Sequence, residues 1–269
     1  MTHPALAFIG GGNMAGAIFA GLLRGGWPAE RIVVVEPSTE QRERIAAAHP
    51  GLRLLAAADA SLVAADVVIW AVKPQSFGDA AAPCAAFVGQ ALHLSVMAGI
   101  RSEALVQASG SPRVVRAMPN TPALIGQGIA GLYARDAVGA ADRATVQRVL
   151  APTGQLLWLE REEQLDAVTA LSGSGPAYVF YFLEAMIEAG VQMGLPAEQA
   201  RQLAQQTFAG AAALASQSSE PVPLLRERVT SKGGTTHAAI TSLDSDQVKA
   251  AFMRALHAAR NRAIELGQA

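Results

Sequence analysis

Apolar residues follow two different rhythms along this chain. Up to about residue 159, short apolar runs recur at 5–9, 32–35, 52–55, 67–72, 92–96, 113–117, 129–134 and 155–159. The first few are separated by enough chain for crossover helices, which predicts a largely parallel, doubly wound α/β sheet with both faces covered. The pairing direction of the later runs stays open. Beyond about residue 160 the runs cease and only helix-like segments rich in Ala, Leu and Gln remain, at 177–194, 197–216, 221–229 and 246–266. Two domains follow: a dinucleotide-binding sheet domain at 1–160 and an all-helical domain at 161–269.

The predicted helix at 177–194 is the most apolar. Tyr178, Val179, Phe180, Phe182, Leu183, Met186, Ile187 and Val191 spread round most of its circumference. A helix of that kind needs cover on nearly every side, more than one small helical domain supplies. A second copy of the chain is expected to provide it. Glu184 and Glu188 within the stretch argue against a membrane span.

The first thirty-six residues carry the clearest local signal. An apolar run enters Gly10-Gly11-Gly12-Asn13-Met14-Ala15, a helical stretch leaves it, and the second run ends on Glu36. Strand, glycine turn, helix and strand ending on an acid make up a dinucleotide-binding crossover. Gly10 permits the sharp turn, Gly12 lets backbone approach a pyrophosphate, and Ala15 keeps helix and strand close. Free N–H groups at the helix start then face the phosphates. Glu36 suits an adenosine ribose and repels a 2′-phosphate, whereas Ser38, Thr39, Arg42 and Arg44 could hold one. The choice between NADH and NADPH stays open.

Composition narrows the picture. With 21 basic and 22 acidic residues, nothing points to nucleic acid or an anionic membrane. The single Cys84 excludes an internal disulfide and a cysteine-based metal cluster, and no metal is expected. An apolar start without a basic leader is unlike a signal peptide, so a soluble cytoplasmic protein is expected.

Three later strand ends have unusual loops. Lys73-Pro74-Gln75 places a cation at the expected crevice, where it could meet the cofactor or an anionic substrate. Ser95-Val96-Met97-Ala98-Gly99 ends the next strand, and Met118-Pro119-Asn120-Thr121-Pro122 forms a rigid loop able to present the Asn120 amide inward. In the helical half, Ser172-Gly173-Ser174-Gly175-Pro176 reads as a loop introducing the apolar helix. Thr230-Ser231-Lys232-Gly233-Gly234-Thr235-Thr236-His237 makes a concave row of N–H donors suited to a small carboxylate. Taken alone, it is a helix entry capped by Thr236.

Taken together, these stretches resemble one family, the pyrroline-5-carboxylate reductases. The resemblance rests on FIGGGNMAGAI at the start, AVKPQ at 71–75, MPNTP at 118–122, SGSGPAY at 172–178 and VTSKGGTTHAAI at 229–240. Lys232 stands where the family usually has proline, and Glu36 where NADPH-preferring relatives tend to carry a small hydroxyl residue. The resemblance implies an N-terminal Rossmann-type domain, a C-terminal helical dimerisation and substrate-binding domain, and dimers often assembled into decamers. It also implies NAD(P)H-dependent reduction of 1-pyrroline-5-carboxylate to L-proline. The expected cofactor contacts are Ile9, Gly10, Gly11, Gly12, Asn13, Met14, Glu36, Ala71, Val72, Lys73, Pro74, Met97 and Ala98. Substrate contacts are expected from Asn120, Ser231, Gly233, Gly234, Thr235 and Thr236. Thr236 is expected to act at the imine nitrogen and Lys73 on the cofactor side, with His237 a candidate relay but more readily a structural histidine.

Two rivals are distinguishable. A β-hydroxyacid dehydrogenase would need a helical-domain lysine as acid/base, and only Lys232 and Lys249 are offered there. A non-catalytic nucleotide sensor would keep the glycine loop without needing the Gly233-Gly234 bend or MPNTP.

Overall fold

The computed structural model describes residues 3–268. In chain order the regular elements are β1 (Leu6–Ile9), α1 (Asn13–Arg24), β2 (Ile32–Val35), α2 (Thr39–Ala48), β3 (Arg53–Leu55), β4 (Val67–Trp70), α3 (Phe77–Ala81), α4 (Ala85–Val88), β5 (Leu92–Ser95), α5 (Ser102–Ser109), β6 (Val114–Met118), β7 (Gly128–Ala134), α6 (Ala140–Leu150), β8 (Gly154–Trp158) and α7 (Gln164–Val168). Then follow α8 (Gly175–Gln192), α9 (Ala197–Gln217), α10 (Val222–Arg228), α11 (Thr235–Ser245) and α12 (Val248–Leu266).

All eight expected strands join one sheet in the order β3-β2-β1-β4-β5-β6-β7-β8. Neighbours run parallel except β6 and β7, which are antiparallel. β1, β2 and β4 are apolar throughout because helices cover both faces. Two buried clusters result, one on each face, built around Phe8, Ile18 and Ile69 and around Ile9, Val68 and Trp70. The strand order reverses between β1 and β4, and at such a point the carboxyl ends of the strands open a ligand crevice.

The chain forms two compact units, whose division differs from the expected boundary at 160/161. The first runs to Ser174 and takes back the chain from Ala259 onward; the second is Gly175–Ala258. The stretch after α7 explains why. Thr169 and Ser172 donate their hydroxyls to the carbonyls of Leu165 and Val168, and Thr169–Gly173 continues α7 as a wider π turn. The expected loop Ser172-Gly173-Ser174-Gly175-Pro176 is therefore wound, and α8 begins at Gly175. Gly173 is required here: a Cβ would lie 2.5 Å from the Met118 Cε. The first unit thus brings Met118 of MPNTP against Gly173.

A polar network ties α7 to the sheet unit. Arg116, buried on β6, pairs with Glu162 at 2.7 Å, and Arg101 pairs with Asp166 at 2.8 Å. Glu162 also accepts from the N–H and hydroxyl of Ser102, each at 2.6 Å. Burial works against the Glu162 charge, but these donors prevail and hold its carboxyl below the usual range.

Within the second unit, α8 packs along α9, where Gly190 lets the helices approach; a Cβ there would lie 2.9 Å from that of Ala200. Tyr178 and Phe252 meet edge to face at 5.7 Å. Among the described residues of this unit, only Gly190, Ala200 and Ala204 are buried. Phe180, Tyr181, Met193, Leu203 and Leu214 are more than half exposed in the single chain.

Candidate active site

The expected nucleotide loop begins where β1 ends. Gly10 sits in the left-handed region (φ +97°), and a Cβ would lie 2.7 Å from the Ala71 carbonyl oxygen. Only glycine makes this turn beside β4 without strain. Gly12 caps α1 with no side-chain acceptor, and a Cβ built on it meets nothing within 4 Å. The first helical bond runs from the Gly16 N–H to the Gly12 carbonyl, which leaves the amides of Asn13, Met14 and Ala15 facing that open space. Ala15 is fully buried between helix and strand. The loop has the open space and forward-facing amides that a pyrophosphate needs.

Beside the loop lies a cavity of about 380 Å³, lined by Ile9, Gly10, Val35, Pro37, Ala58, Val72 and Cys84 among others. Its apolar walls suit an adenosine. Burial pushes the Cys84 thiol up to about 11, so it is a packing residue. Glu36 ends β2 with both oxygens held: Oε2 accepts from the Gly11 N–H and Oε1 from the Ser38 N–H, each at 2.9 Å. Ser38 caps α2 by accepting from the Gln41 N–H, and Gln41 donates its amide to the Gly11 carbonyl at 2.7 Å. Gln41 escaped the sequence reading, although a serine three residues before a glutamine is a capping-box spacing.

The other expected cofactor contacts are placed differently from one another. Lys73 is exposed at the carboxyl end of β4 and caps the short turn Pro74–Ser76. Ala71, Val72 and Ala98 are half-buried at the crevice rim. Met97 is 3 % exposed and its side chain belongs to the core, which leaves only its backbone to a ligand. The Asn120 side-chain oxygen Oδ1 accepts from the Ile129 N–H at 3.0 Å, so that oxygen is spent on fastening MPNTP to β7 rather than presented inward.

The stretch expected to hold the substrate carboxylate lies at the start of α11, in the second unit. The Gly234 N–H closes a turn on the Ser231 carbonyl at 3.0 Å, with Gly233 left-handed (φ +77°) at its third position. Lys232 occupies the second position, where proline also fits, and the turn closes without it. Gly234, not Thr236, is the cap of α11. A Cβ on Gly234 would lie 2.7 Å from the Ser231 hydroxyl, which explains why the cap is a glycine. Thr235 and Thr236 are the first two helical residues, and Ala238 makes the first helical bond, back to Gly234. The amides of Thr235, Thr236 and His237 are left as donors at the positive end of the helix. His237 is exposed in the single chain rather than packed as a structural histidine.

A sheet with this switch point, glycine loop and amide-lined α1 start defines a dinucleotide-binding domain of the Rossmann class. Residues 5–99 match the family described as NADP oxidoreductase, coenzyme F420-dependent, and residues 162–266 match pyrroline-5-carboxylate reductase dimerisation. Over its whole length the chain is 44 % identical to the pyrroline-5-carboxylate reductase of Pseudomonas aeruginosa, covering 98 % of that protein. It is 41 % identical to that of Haemophilus influenzae, with 99 % and 98 % of the two chains covered. The fold matches a pyrroline-5-carboxylate reductase structure from Coxiella burnetii at a TM-score of 0.90 and 36 % identity, covering 98 % and 99 % of the chains. It also matches the Plasmodium falciparum enzyme with NADP bound, at 0.88 and 29 %, covering 99 % of each. The chain belongs to the pyrroline-5-carboxylate reductase family.

Proposed function

We infer that this chain reduces 1-pyrroline-5-carboxylate to L-proline at the expense of NADH or NADPH. The observation that carries this reading is the coexistence of a nucleotide loop after β1 and a carboxylate-binding helix start at α11 in a full-length member of this family. The reduced nicotinamide, when bound, supplies the hydride that adds to the imine carbon, while the nitrogen carries or receives a proton and the C=N bond becomes CH–NH.

The chain's own contribution is mostly positional. The amides of Asn13, Met14 and Ala15 hold the pyrophosphate, the apolar cavity takes the adenosine, and Lys73 supports the cofactor side. The amides after Gly234 and the hydroxyls of Ser231 and Thr235 hold the substrate carboxylate, with Gly233 shaping their turn. Thr236 donates to, or relays a proton toward, the imine nitrogen. The free Asn120 amide offers one further donor. Holding the reactants in register contributes up to ~7–11 kcal/mol without a strong acid or base.

The functional particle is a homo-oligomer with the dimer as its building block, and decamers are the larger assembly that the family resemblance implies. Its support is the dimerisation-family match and the apolar side chains that one copy leaves exposed on α8 and α9. Among the described residues no helix is long and apolar enough to cross a membrane, which fits a cytoplasmic site of action.

Incubating the protein with pyrroline carboxylate and each reduced nucleotide, and measuring proline formed, tests the reading. Stoichiometric proline is expected. A folded oligomer that makes none, or that oxidises hydroxyacids instead, would replace it with one of the rivals.

A further inference from the structure

The ribose end of the nucleotide site has a feature that the reductase reading leaves undecided. The Glu36 carboxylate is fixed, not merely present. One oxygen is held by the amide of the glycine loop and the other by the amide that opens α2, each at 2.9 Å. Both oxygens keep a second lone pair, so the group can accept hydrogen bonds from ribose hydroxyls without giving up either amide. It cannot swing aside to admit a phosphate without breaking both bonds.

The groups that could counter this charge are committed elsewhere. Arg42 donates one guanidinium nitrogen to the carbonyls of Glu36 and Pro37, at 2.7 and 2.8 Å, and the other to the Thr39 hydroxyl at 3.0 Å. Arg44 pairs with Glu40 at 2.6 Å on the exposed face of α2. Ser38 uses its hydroxyl oxygen to cap α2. Even the amino end of that helix, ordinarily attractive to phosphate, carries Glu40 in its first turn and has its Ser38 amide occupied by Glu36. One fixed carboxylate therefore stands at the end of β2, where the ribose is expected, a second acid lies in the first turn of α2, and Arg42 is spent on backbone.

Resting on the reductase reading, we propose that Glu36 is the specificity-determining residue of the nucleotide site and makes this chain prefer NADH to NADPH. A phosphate carrying close to two negative charges beside a fixed carboxylate is repelled, whereas a free 2′-hydroxyl gains an acceptor. Glu36 also has a positioning role, because it ties the glycine loop to the start of α2 through Gly11 and Ser38.

Equilibrium titration of the purified oligomer with NADH and NADPH, followed by nicotinamide fluorescence, tests this without requiring turnover. NADH is expected to bind at least ~10-fold more tightly. Glu36→Gln removes the charge and keeps the side chain's shape and one acceptor oxygen, giving up one of the bonds to Gly11 and Ser38, and should narrow the ratio mainly by tightening NADPH. Arg44→Ala should leave the ratio unchanged. A wild-type protein that binds NADPH as tightly as NADH overturns the proposal, as does an unchanged ratio in Glu36→Gln. A selective loss of NADPH binding in Arg44→Ala also overturns it, by showing that this arginine leaves Glu40 for the phosphate. Tight NADH binding without proline formation sinks the reductase reading alone; binding of neither nucleotide sinks both.

Discussion

Gly11 and Glu36, twenty-five positions apart, share a hydrogen bond of 2.9 Å from the glycine amide to the carboxylate. That bond couples the end of β2 to the loop after β1, so the acid proposed to meet the ribose also shapes the loop beside it. A Cβ on Gly11 would lie 2.6 Å from the Ile45 Cδ1 and 3.4 Å from the Glu36 Oε2, so the same glycine is closed in from both sides.

Gly10 should be the least replaceable position of the loop. In Gly10→Ala a Cβ meets the Ala71 carbonyl at 2.7 Å, and the left-handed backbone is strained as well. A stability loss of at least ~1–3 kcal/mol and loss of nucleotide binding are expected. Denaturant unfolding and nucleotide titration would check both, and unchanged binding would remove Gly10 from the site.

Thr236→Ala should lower kcat by ~100-fold if its hydroxyl serves the imine nitrogen, within the usual range for a lost proton relay. Nucleotide affinity should be unchanged. Near-normal kcat/KM would leave Thr236 with only its backbone amide as a contribution.

His93 gives the sheet unit a pH dependence. It is fully buried, its Nδ1 accepts from the Trp70 indole at 3.0 Å, and its Nε2 donates to the Val88 carbonyl at 3.1 Å. Burial is the main cause that holds it down to about 4, with the Val88 bond opposing and Arg113 adding slightly. Between about 4 and 6.5 the unfolded chain binds a proton there and the native one does not. Stability therefore rises with pH through that window and is lost as pH falls through it, by about 3 kcal/mol in all. Urea unfolding from pH 4.5 to 7.5 should show the slope, and His93→Gln should flatten it; equal slopes would assign it to carboxylates.

Removing one partner of the Arg116–Glu162 pair should cost more than removing both. Arg116 is 4 % exposed, so Glu162→Ala leaves a buried guanidinium without its acceptor, a loss of ~3–5 kcal/mol. The double replacement Arg116→Met with Glu162→Leu should recover part of that loss. Chemical denaturation of the two variants decides, and a double variant no more stable than Glu162→Ala would argue against coupling.

Charges on the exposed apolar face of α8 should disrupt assembly. Tyr181, 69 % exposed in the single chain, is expected to be covered by a second copy. Tyr181→Asp should shift the protein toward smaller, less stable species in analytical ultracentrifugation. A wild-type protein that sediments as a monomer would leave this surface unexplained.

Much of this was legible along the chain because its signals are local. Apolar runs of strand length, a glycine turn between two of them and an acid after the second depend on backbone sterics and on neighbours only a few residues away. The eight strands and the loop at Gly10 were readable for that reason. The antiparallel β6–β7 pairing was not, because both directions bury the same residues. The stretch from Ser172 to Pro176 was misread as a loop, since glycine and serine ordinarily interrupt helices, whereas Thr169–Gly173 is wound and α8 begins at Gly175. Here the serine and threonine hydroxyls satisfy carbonyls of their own helix, and Gly173 is needed by Met118 rather than by a turn. Thr236 was misread as a cap because the turn from Ser231 to Gly234 decides where α11 begins.

Sequence alone determined the kind of molecule: a nucleotide-binding sheet followed by helices too apolar to stand uncovered. Periodicity and the glycine pattern carry that information through short-range sterics. Only the tertiary structure decided which polar groups were already spoken for. The Glu36 oxygens are held by Gly11 and Ser38, the Arg42 guanidinium by the loop's own carbonyls, and the Asn120 oxygen by β7. A hydrogen bond between distant residues leaves no periodic trace, because it depends on where the sheet places two strand ends and not on the spacing between them.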